Sequence, residues 1–152
     1  MKKGDMINMA THASRNTTTG MAFEEKVSAR NIAFGEDVSK HALYRFLKAR
    51  NINWEDLISR KLLPDEAYWD EENKTLTVFE KKTQNGEGSA DEKIQTCGFK
   101  ILQYKKIGLA LGAEKVTYTY ILDDWFKAPR YKDVLDYIKS IEDCDYTFSN
   151  DL

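Results

Sequence analysis

The chain has 152 residues, which predicts a single domain. Its content of 41% hydrophobic and 12% aromatic residues excludes a disordered chain, and its formal net charge of −2 excludes a strongly basic one. No window reaches the roughly 18 apolar residues of a membrane span, and the first residues lack the apolar core of a signal peptide. Because Cys97 and Cys144 have neither metal-binding nor disulfide-framework spacing, we expect a reduced, cytoplasmic protein that does not bind a membrane.

The first part of the chain is predicted to be a polar arm followed by helices. Residues 1–19 are polar and aperiodic, which predicts a flexible arm. Apolar residues recur at helical spacing over 21–34 and again over 36–50, so each segment predicts an amphipathic helix. A short helical turn is expected within 51–63, because the residue before a proline disfavours helical backbone angles.

The second part alternates between strands and helices. The predicted elements are strands over 65–70 and 74–82, a helix from residue 90 (Ser89 and Glu92 forming its capping box) to Gly108 and Gly112, a strand over 115–122, a helix over 131–141 and an edge strand over 145–148. This order predicts an α/β fold, a mixed β-sheet flanked by helices, in one domain over residues 20–152.

The two strands around the polar turn Glu71-Glu72-Asn73 are predicted to form a hairpin of defined register. A loop of two or four residues pairs apolar residues with apolar residues and sets Asp65 opposite Glu80, whereas an odd loop scrambles this pattern. In the even register the Cβ atoms of Asp65 and Glu80 lie about 4.5–5.5 Å apart. Lys82 follows Glu80 on the same face of the strand.

Two carboxylates held opposite each other repel, and the repulsion must be relieved. A shared proton would relieve it, and so would a divalent cation such as Mg²⁺, which binds carboxylates, water and substrate phosphate. Lys82 is placed to neutralise phosphate charge or to orient an attacking water. The sequence therefore predicts a site for metal-assisted phosphodiester hydrolysis, with surface ion pairing among Asp65, Glu80 and Lys82 as the alternative.

The sequences Pro64-Asp65 and Glu80-Lys81-Lys82 resemble the motif of the PD-(D/E)XK nuclease superfamily, in which restriction endonucleases are prominent. The resemblance covers roughly residues 20–148 and implies a restriction-endonuclease-like core of mixed sheet and helices. It further implies that Asp65 and Glu80 bind Mg²⁺, which the sequence does not separate from Mn²⁺, and that Lys82 assists the nucleophilic water.

The same resemblance implies roles for residues outside the short motif. Glu24 corresponds to a helix glutamate that hydrogen-bonds the metal–water shell, with the adjacent Glu25 as the alternative. Gln84, on the same strand face as Glu80, is expected to support the site or to contact phosphate. Tyr104 is expected to pack in the core.

DNA contacts are predicted from the distribution of charge, because the runs 40–50 and 93–106 are basic and contain no acid. The candidate DNA contacts are Lys93, Lys100 and Lys106 in the second run, Ser89 in the loop before the helix, and Arg15 in the polar arm. One chain offers one site, so cutting both strands of a duplex predicts a homodimer or a tetramer built from dimers.

The expected function is that of a magnesium-dependent endonuclease acting on double-stranded DNA, specifically a type II restriction enzyme. Within the same chemistry the alternatives are a homing or phage-type endonuclease and a Holliday-junction resolvase. From a different class, the chain could be a catalytically silent DNA-binding module that keeps the fold. A binding module has no need of opposed carboxylates, which favours the enzyme.

Overall fold

The computed structural model describes residues 33–84 and 90–152. The predicted arm over 1–19 and the predicted start of the domain at residue 20 lie outside these ranges. Of the helix predicted over 21–34, only Ala33 and Phe34 are described, and both are helical. Glu36–Leu152 form one compact unit. Within the described ranges, no helix has the length and apolar character needed to cross a membrane.

A five-stranded mixed sheet is the frame of this unit. Its strands are β1 (Glu36–Asp37), β2 (Glu66–Asp70), β3 (Thr75–Lys82), β4 (Lys115–Leu122) and β5 (Cys144–Phe148). They lie side by side in sequence order, with β1, β2 and β3 antiparallel and with β3, β4 and β5 parallel. The predicted α/β class with a mixed sheet is therefore confirmed, including the edge strand near the C-terminus.

Helices supply the connections that parallel strands require. Within residues 36–84 and 90–152, the α-helices are α1 (Ala42–Ala49), α2 (Ala90–Lys93), α3 (Cys97–Leu111) and α4 (Lys132–Ser140). α3 leads from β3 to β4, and α4 leads from β4 to β5. A 3₁₀ turn at Trp54–Asp56 corresponds to the short helical turn expected from the sequence. The predicted apolar stripe of Ile94, Cys97, Ile101 and Tyr104 is buried.

The hairpin register predicted from the apolar pattern is confirmed. β2 and β3 are joined by four residues, and the Asp70 side chain accepts hydrogen bonds from the backbone N–H groups of Glu72 and Asn73 in this turn. Trp69 pairs with Leu76, and Ala67 pairs with Val78. Continuation of this register by one pair places Asp65 beside Glu80.

The helix predicted over 36–50 begins later than expected. Glu36 and Asp37 form β1 by pairing with Trp69 and Tyr68, and α1 starts only at Ala42. The backbone N–H of Val38 continues this connection by donating to the carbonyl of Ala67 at 2.7 Å. Hydrogen bonds to β2, a partner distant in the chain, thus outweigh the local helical periodicity of this segment.

Gly108 does not end α3, contrary to the expectation from sequence. The helix continues to Leu111, and Gly112 ends it with a left-handed φ of 79°. Gly108 is buried inside the helix, where a Cβ atom would lie 2.4 Å from Cγ2 of Val116. The glycine therefore permits the close approach of α3 to β4.

Candidate active site

Asp65, Glu80 and Lys82 come together at the C-terminal end of β3 and are called the active-site cluster below. The backbone N–H of Lys81 donates to Oδ2 of Asp65 at 2.8 Å, and the backbone N–H of Asp65 donates to the Glu80 carboxylate. The Lys82 ammonium lies 3.5 Å from Oε1 of Glu80. The hairpin register thus brings into contact three residues that are up to 17 positions apart in the sequence.

Glu80 is the most constrained member of the cluster. Its side chain is 19% exposed, compared with 29% for that of Asp65. Burial raises the pKa of Glu80, and the negative charge of Asp65 raises it further, while Lys82 opposes both effects. The cluster itself contains two carboxylates and one ammonium group, so a proton or a further cation stabilises the charge of Glu80.

Three tyrosines lie within electrostatic reach of Glu80. Tyr120 is its partner in β4, Tyr118 lies 5.1 Å from Tyr120 between ring centroids, and Tyr104 stacks on Tyr118 at 5.7 Å. Burial raises the pKa of each phenol, that of Tyr120 to about 12, and the charge of Glu80 contributes to each shift. These hydroxyls stay protonated at neutral pH, so they are not bases. The burial of Tyr104 was predicted.

Lys81 and Lys82 are neighbours with different surroundings. Lys81 points to the other face of the sheet, where its ammonium lies 3.1 Å from Oε2 of Glu66. Glu66 is only 6% exposed and also accepts a hydrogen bond from the Tyr68 hydroxyl at 2.7 Å. Lys81 therefore compensates the charge of Glu66, a buried carboxylate outside the cluster, whereas Lys82 forms an ion pair with Glu80.

Two residues near the cluster were not singled out from the sequence. Lys40 lies just before α1, and its ammonium is 3.9 Å from Oδ1 of Asp65. Asp123 follows β4, where its Oδ2 accepts a hydrogen bond from the backbone N–H of Gln84 at 3.3 Å and its Oδ1 is buried without a hydrogen-bond partner. Asp123 thus fixes the backbone of Gln84, the residue expected to support the site. The position of Asp123 directly after a predicted core strand was the sequence feature that could have identified it.

The carboxylates of Asp65 and Glu80 match the requirements of Mg²⁺, which is commonly bound by one or two carboxylates together with water and substrate phosphate. No set of three or more His, Cys, Asp or Glu side chains in residues 33–84 and 90–152 is arranged to hold a metal ion. Glu24 and Glu25, the candidates for a third carboxylate, lie outside these ranges. Two carboxylates would leave the other coordination positions of Mg²⁺ to water or substrate phosphate.

The predicted DNA contacts lie at different distances from the cluster. Arg15 and Ser89 are outside the described residues. Lys93 is exposed at the start of the helical segment, where its carbonyl accepts a hydrogen bond from the Tyr120 hydroxyl at 3.4 Å. Lys100 and Lys106 follow along α3, whose far end leads to the start of β4. At a rise of about 1.5 Å per residue, Lys106 lies roughly 20 Å from Lys93 along the helix.

No protein-family model, curated protein or solved structure matches the chain. The resemblance to the PD-(D/E)XK superfamily therefore rests on two short motifs, Pro64-Asp65 and Glu80-Lys81-Lys82, and on the elements around them. Both motifs contribute their acidic residues to the same cluster.

Proposed function

We propose that the chain is a metal-dependent DNA endonuclease with a restriction-endonuclease-like core, which hydrolyses phosphodiester bonds of double-stranded DNA. The observation that carries this proposal is the active-site cluster. The carboxylate of Asp65, the residue before β2, lies next to that of Glu80 in β3, and an ammonium group lies 3.5 Å from the Glu80 carboxylate. An antiparallel hairpin followed by a helix and a parallel strand is consistent with the core that the resemblance implies.

In this proposal Asp65 and Glu80 hold the divalent cation, Mg²⁺ or Mn²⁺. The cation supplies Lewis acidity toward a phosphate oxygen and lowers the pKa of water. Lys82 faces the same space and stabilises the negative charge that develops on the phosphate. The buried, protonated tyrosines exclude water from one side of Glu80 and do not compete for protons at neutral pH.

A purely structural role explains the cluster less well. An exposed ion pair adds little stability, with typical values of about 0–1 kcal/mol. Glu80 is mostly buried next to a second carboxylate, and both features raise its pKa and so disfavour the charged form. Paired buried carboxylates destabilise a protein that has no ligand, and such pairs are typical of sites where a bound cation removes the repulsion.

We further propose a type II restriction enzyme acting as a homodimer, because one site per chain cuts one strand and a two-fold axis matches a palindromic sequence. A homing or phage-type endonuclease and a junction resolvase would use the same cluster. Lys40 lies beside Asp65, and the backbone of Lys93 contacts Tyr120, the strand neighbour of Glu80. Under each of these assignments both lysines offer positive charge for the DNA backbone.

The first experiment compares two neighbouring lysines in a plasmid-cleavage assay with Mg²⁺. Wild-type protein is expected to convert supercoiled plasmid into linear fragments. Lys82→Ala should lower the rate by about 100-fold or more, because it removes a charge that stabilises the transition state. Lys81→Ala should still cleave, since Lys81 contacts Glu66 on the other face. Equal rates for wild type and Lys82→Ala would contradict the proposal.

The same assay separates the alternatives. Unchanged supercoiled plasmid together with DNA retention would identify a silent binding module. Cleavage of a four-way junction but not of a linear duplex would identify a resolvase. Discrete fragments would identify a sequence-specific enzyme, and mapping their ends would give its recognition site.

A further inference from the structure

Beside the active-site cluster lies a second feature, an open cavity of about 710 Å³. We call it the basic cavity, because its walls carry the cationic side chains Arg45, Lys48 and Lys61 together with the imidazole of His41. None of its lining residues, all of which belong to residues 41–61, is Asp or Glu. Its size falls in the range of about 300–1,000 Å³ typical of pockets for small ligands.

One wall of the basic cavity is a face of α1. His41, Arg45 and Lys48 are spaced by four and three residues, so they lie along the same side of the helix. All three are exposed. None of the ion pairs between described residues includes Arg45 or Lys48. Their charges are therefore available to an anionic ligand.

The floor of the basic cavity is aromatic. Trp54 and Tyr44 meet edge to face with ring centroids 5.9 Å apart. The Tyr44 hydroxyl accepts a hydrogen bond from the backbone N–H of Leu62 at 2.7 Å and donates to the carbonyl of the same residue. The Lys61 ammonium lies 5.0 Å from the Tyr44 centroid and 5.3 Å from that of Trp54. A rigid apolar floor thus underlies a cationic rim.

The basic cavity adjoins the active-site cluster. His41 directly follows Lys40, whose ammonium is 3.9 Å from Asp65. Leu62, which holds the Tyr44 hydroxyl, precedes Asp65 by three residues. Burial raises the pKa of Tyr104, and the charges of Glu80, Tyr44 and Asp65 raise it further, so Tyr44 and the cluster are both near this side chain. Lys40 and His41 therefore connect the cluster to the cavity through adjacent positions of the chain.

We propose that the basic cavity binds an unpaired nucleotide of the DNA strand that the active-site cluster cleaves. Arg45 and Lys48 bind phosphate oxygens, Trp54 stacks on the base, and the Asn51 side chain at the rim hydrogen-bonds the base edge. Bases inside a duplex do not present their faces, so a paired nucleotide does not fill the cavity. The inference rests on the proposed function for the choice of DNA as the ligand.

Lys61 occupies the place that a base would take against the rings. Stacking of a base on an aromatic side chain is stronger than a solvent-exposed cation–π contact, and Trp54 is half-buried in the cavity floor. An incoming base therefore displaces the Lys61 ammonium, which is then free to pair with the phosphate of the same nucleotide. The Lys61 ammonium thus lies over the rings only when no DNA strand is bound.

The test compares a blunt duplex with the same duplex carrying a single-stranded thymidine tail. Binding of full-length protein is measured by fluorescence anisotropy in EDTA, so that no cleavage occurs. Wild type should bind the tailed duplex about tenfold more tightly. Trp54→Ala should remove this preference while binding the blunt duplex as wild type does, which also shows that the variant is folded.

Charge variants test the phosphate contacts separately. Arg45→Gln/Lys48→Gln should lower the salt slope for the tailed duplex by about 1.4, or about 0.7 per lost contact to a single strand. The matched control Lys115→Gln/Lys132→Gln makes the same change in charge on exposed residues outside the cavity, and the preference for the tail should persist in it.

Three results would each overturn the inference. The first is equal affinity of wild type for the tailed and blunt duplexes, and the second is a preference for the tail that survives in Trp54→Ala. The third is that thymidine monophosphate binds as tightly as the tail, which would identify a pocket for free nucleotides. A lasting preference for the tail in a protein that cleaves no plasmid would support the cavity and count only against the proposed hydrolysis.

Discussion

At the scale of single residues, the alternation of side chains along a strand separates the roles of Lys81 and Lys82. Lys81 pairs with the buried Glu66, and Lys82 pairs with Glu80 on the opposite face. The two adjacent lysines at the end of the strand thus form ion pairs with two different carboxylates. Only Lys82 lies with the residues proposed to act on phosphate.

Glu80→Gln is expected to make the protein more stable at pH 7 in the absence of metal. The pKa of Glu80 is raised above its ordinary value of 4.5. Glu80 therefore contributes stability that is fully present below pH 4.5 and is lost as the pH rises through the raised pKa. Glutamine cannot ionise and avoids this loss. Thermal unfolding in EDTA should show a higher Tm for the variant, about 2–4 °C for each 1 kcal/mol gained.

The difference in Tm between Glu80→Gln and wild type should shrink as the pH is lowered toward 4.5. Glu71→Gln is the matched control, because hydrogen bonding from Trp69 lowers the pKa of Glu71 and the contribution of Glu71 to stability has the opposite sign. Added Mg²⁺ should raise the Tm of wild type and not that of Glu80→Gln. A lower Tm for Glu80→Gln at pH 7 would mean that Glu80 mainly forms a structural ion pair.

At the scale of elements, the site depends on how closely α3 packs on the sheet. The stripe of α3 that includes Tyr104 lies against β4, and Gly108 allows the approach near the far end of the helix. The tyrosines next to Glu80 are held by this packing, since Tyr104 comes from α3 and Tyr118 from β4. The position of α3 therefore affects the surroundings of Glu80.

Gly108→Ala is expected to destabilise the protein although alanine favours helices. Its Cβ would lie 2.4 Å from Val116 Cγ2, so α3 must shift away from β4. Overpacking of this kind costs about 1–3 kcal/mol. The decrease should appear as a lower midpoint in urea unfolding followed by circular dichroism.

Gly98→Ala in the same helix is the control. A Cβ atom there would lie 3.2 Å from the Tyr137 hydroxyl, which ends a flexible and partly exposed side chain that can move. Its free energy of unfolding should stay within about 0.5 kcal/mol of that of wild type, as is usual for surface substitutions. Equal effects of the two alanines would mean that α3 does not pack tightly at Gly108.

At the scale of the whole molecule, a net charge of −2 is compatible with DNA binding only if positive charge is concentrated near the site. Lys40 and the basic cavity supply such charge on one side of the active-site cluster, and Lys93 supplies it at the start of the helical segment after β3. The exposed acids Glu114 and Glu142 line a different cavity, beside the far end of α3.

Lys93→Gln is expected to reduce the salt dependence of duplex binding, because each lost phosphate contact lowers the slope of log K against log salt by about 0.9. Lys106→Gln makes the same change in charge roughly 20 Å further along the helix, where we expect a smaller effect. Titrations at several salt concentrations in EDTA measure both slopes. An equal decrease for the two variants would place Lys106 on the DNA surface as well.

The sequence by itself determined the features that depend on neighbours along the chain. Alternation of apolar residues and the length of a polar turn decide which residues of a hairpin are paired, so the contact between Asp65 and Glu80 was predictable. The stripe of α3 and the strand β4 followed from their periodicity for the same reason. These patterns act over a few residues and do not require knowledge of the rest of the fold.

Only the tertiary structure decided the features that join distant segments. Glu36 and Asp37 became a strand because β2 offered hydrogen-bond partners, and Gly108 became a packing position because Val116 lies against it. Lys40 lies near Asp65, and Lys61 lies over the rings of Tyr44 and Trp54. No local sequence pattern predicts these contacts. The physical reason is that such contacts depend on the order of strands in the sheet and on the path of each connection, which many separate interactions determine together.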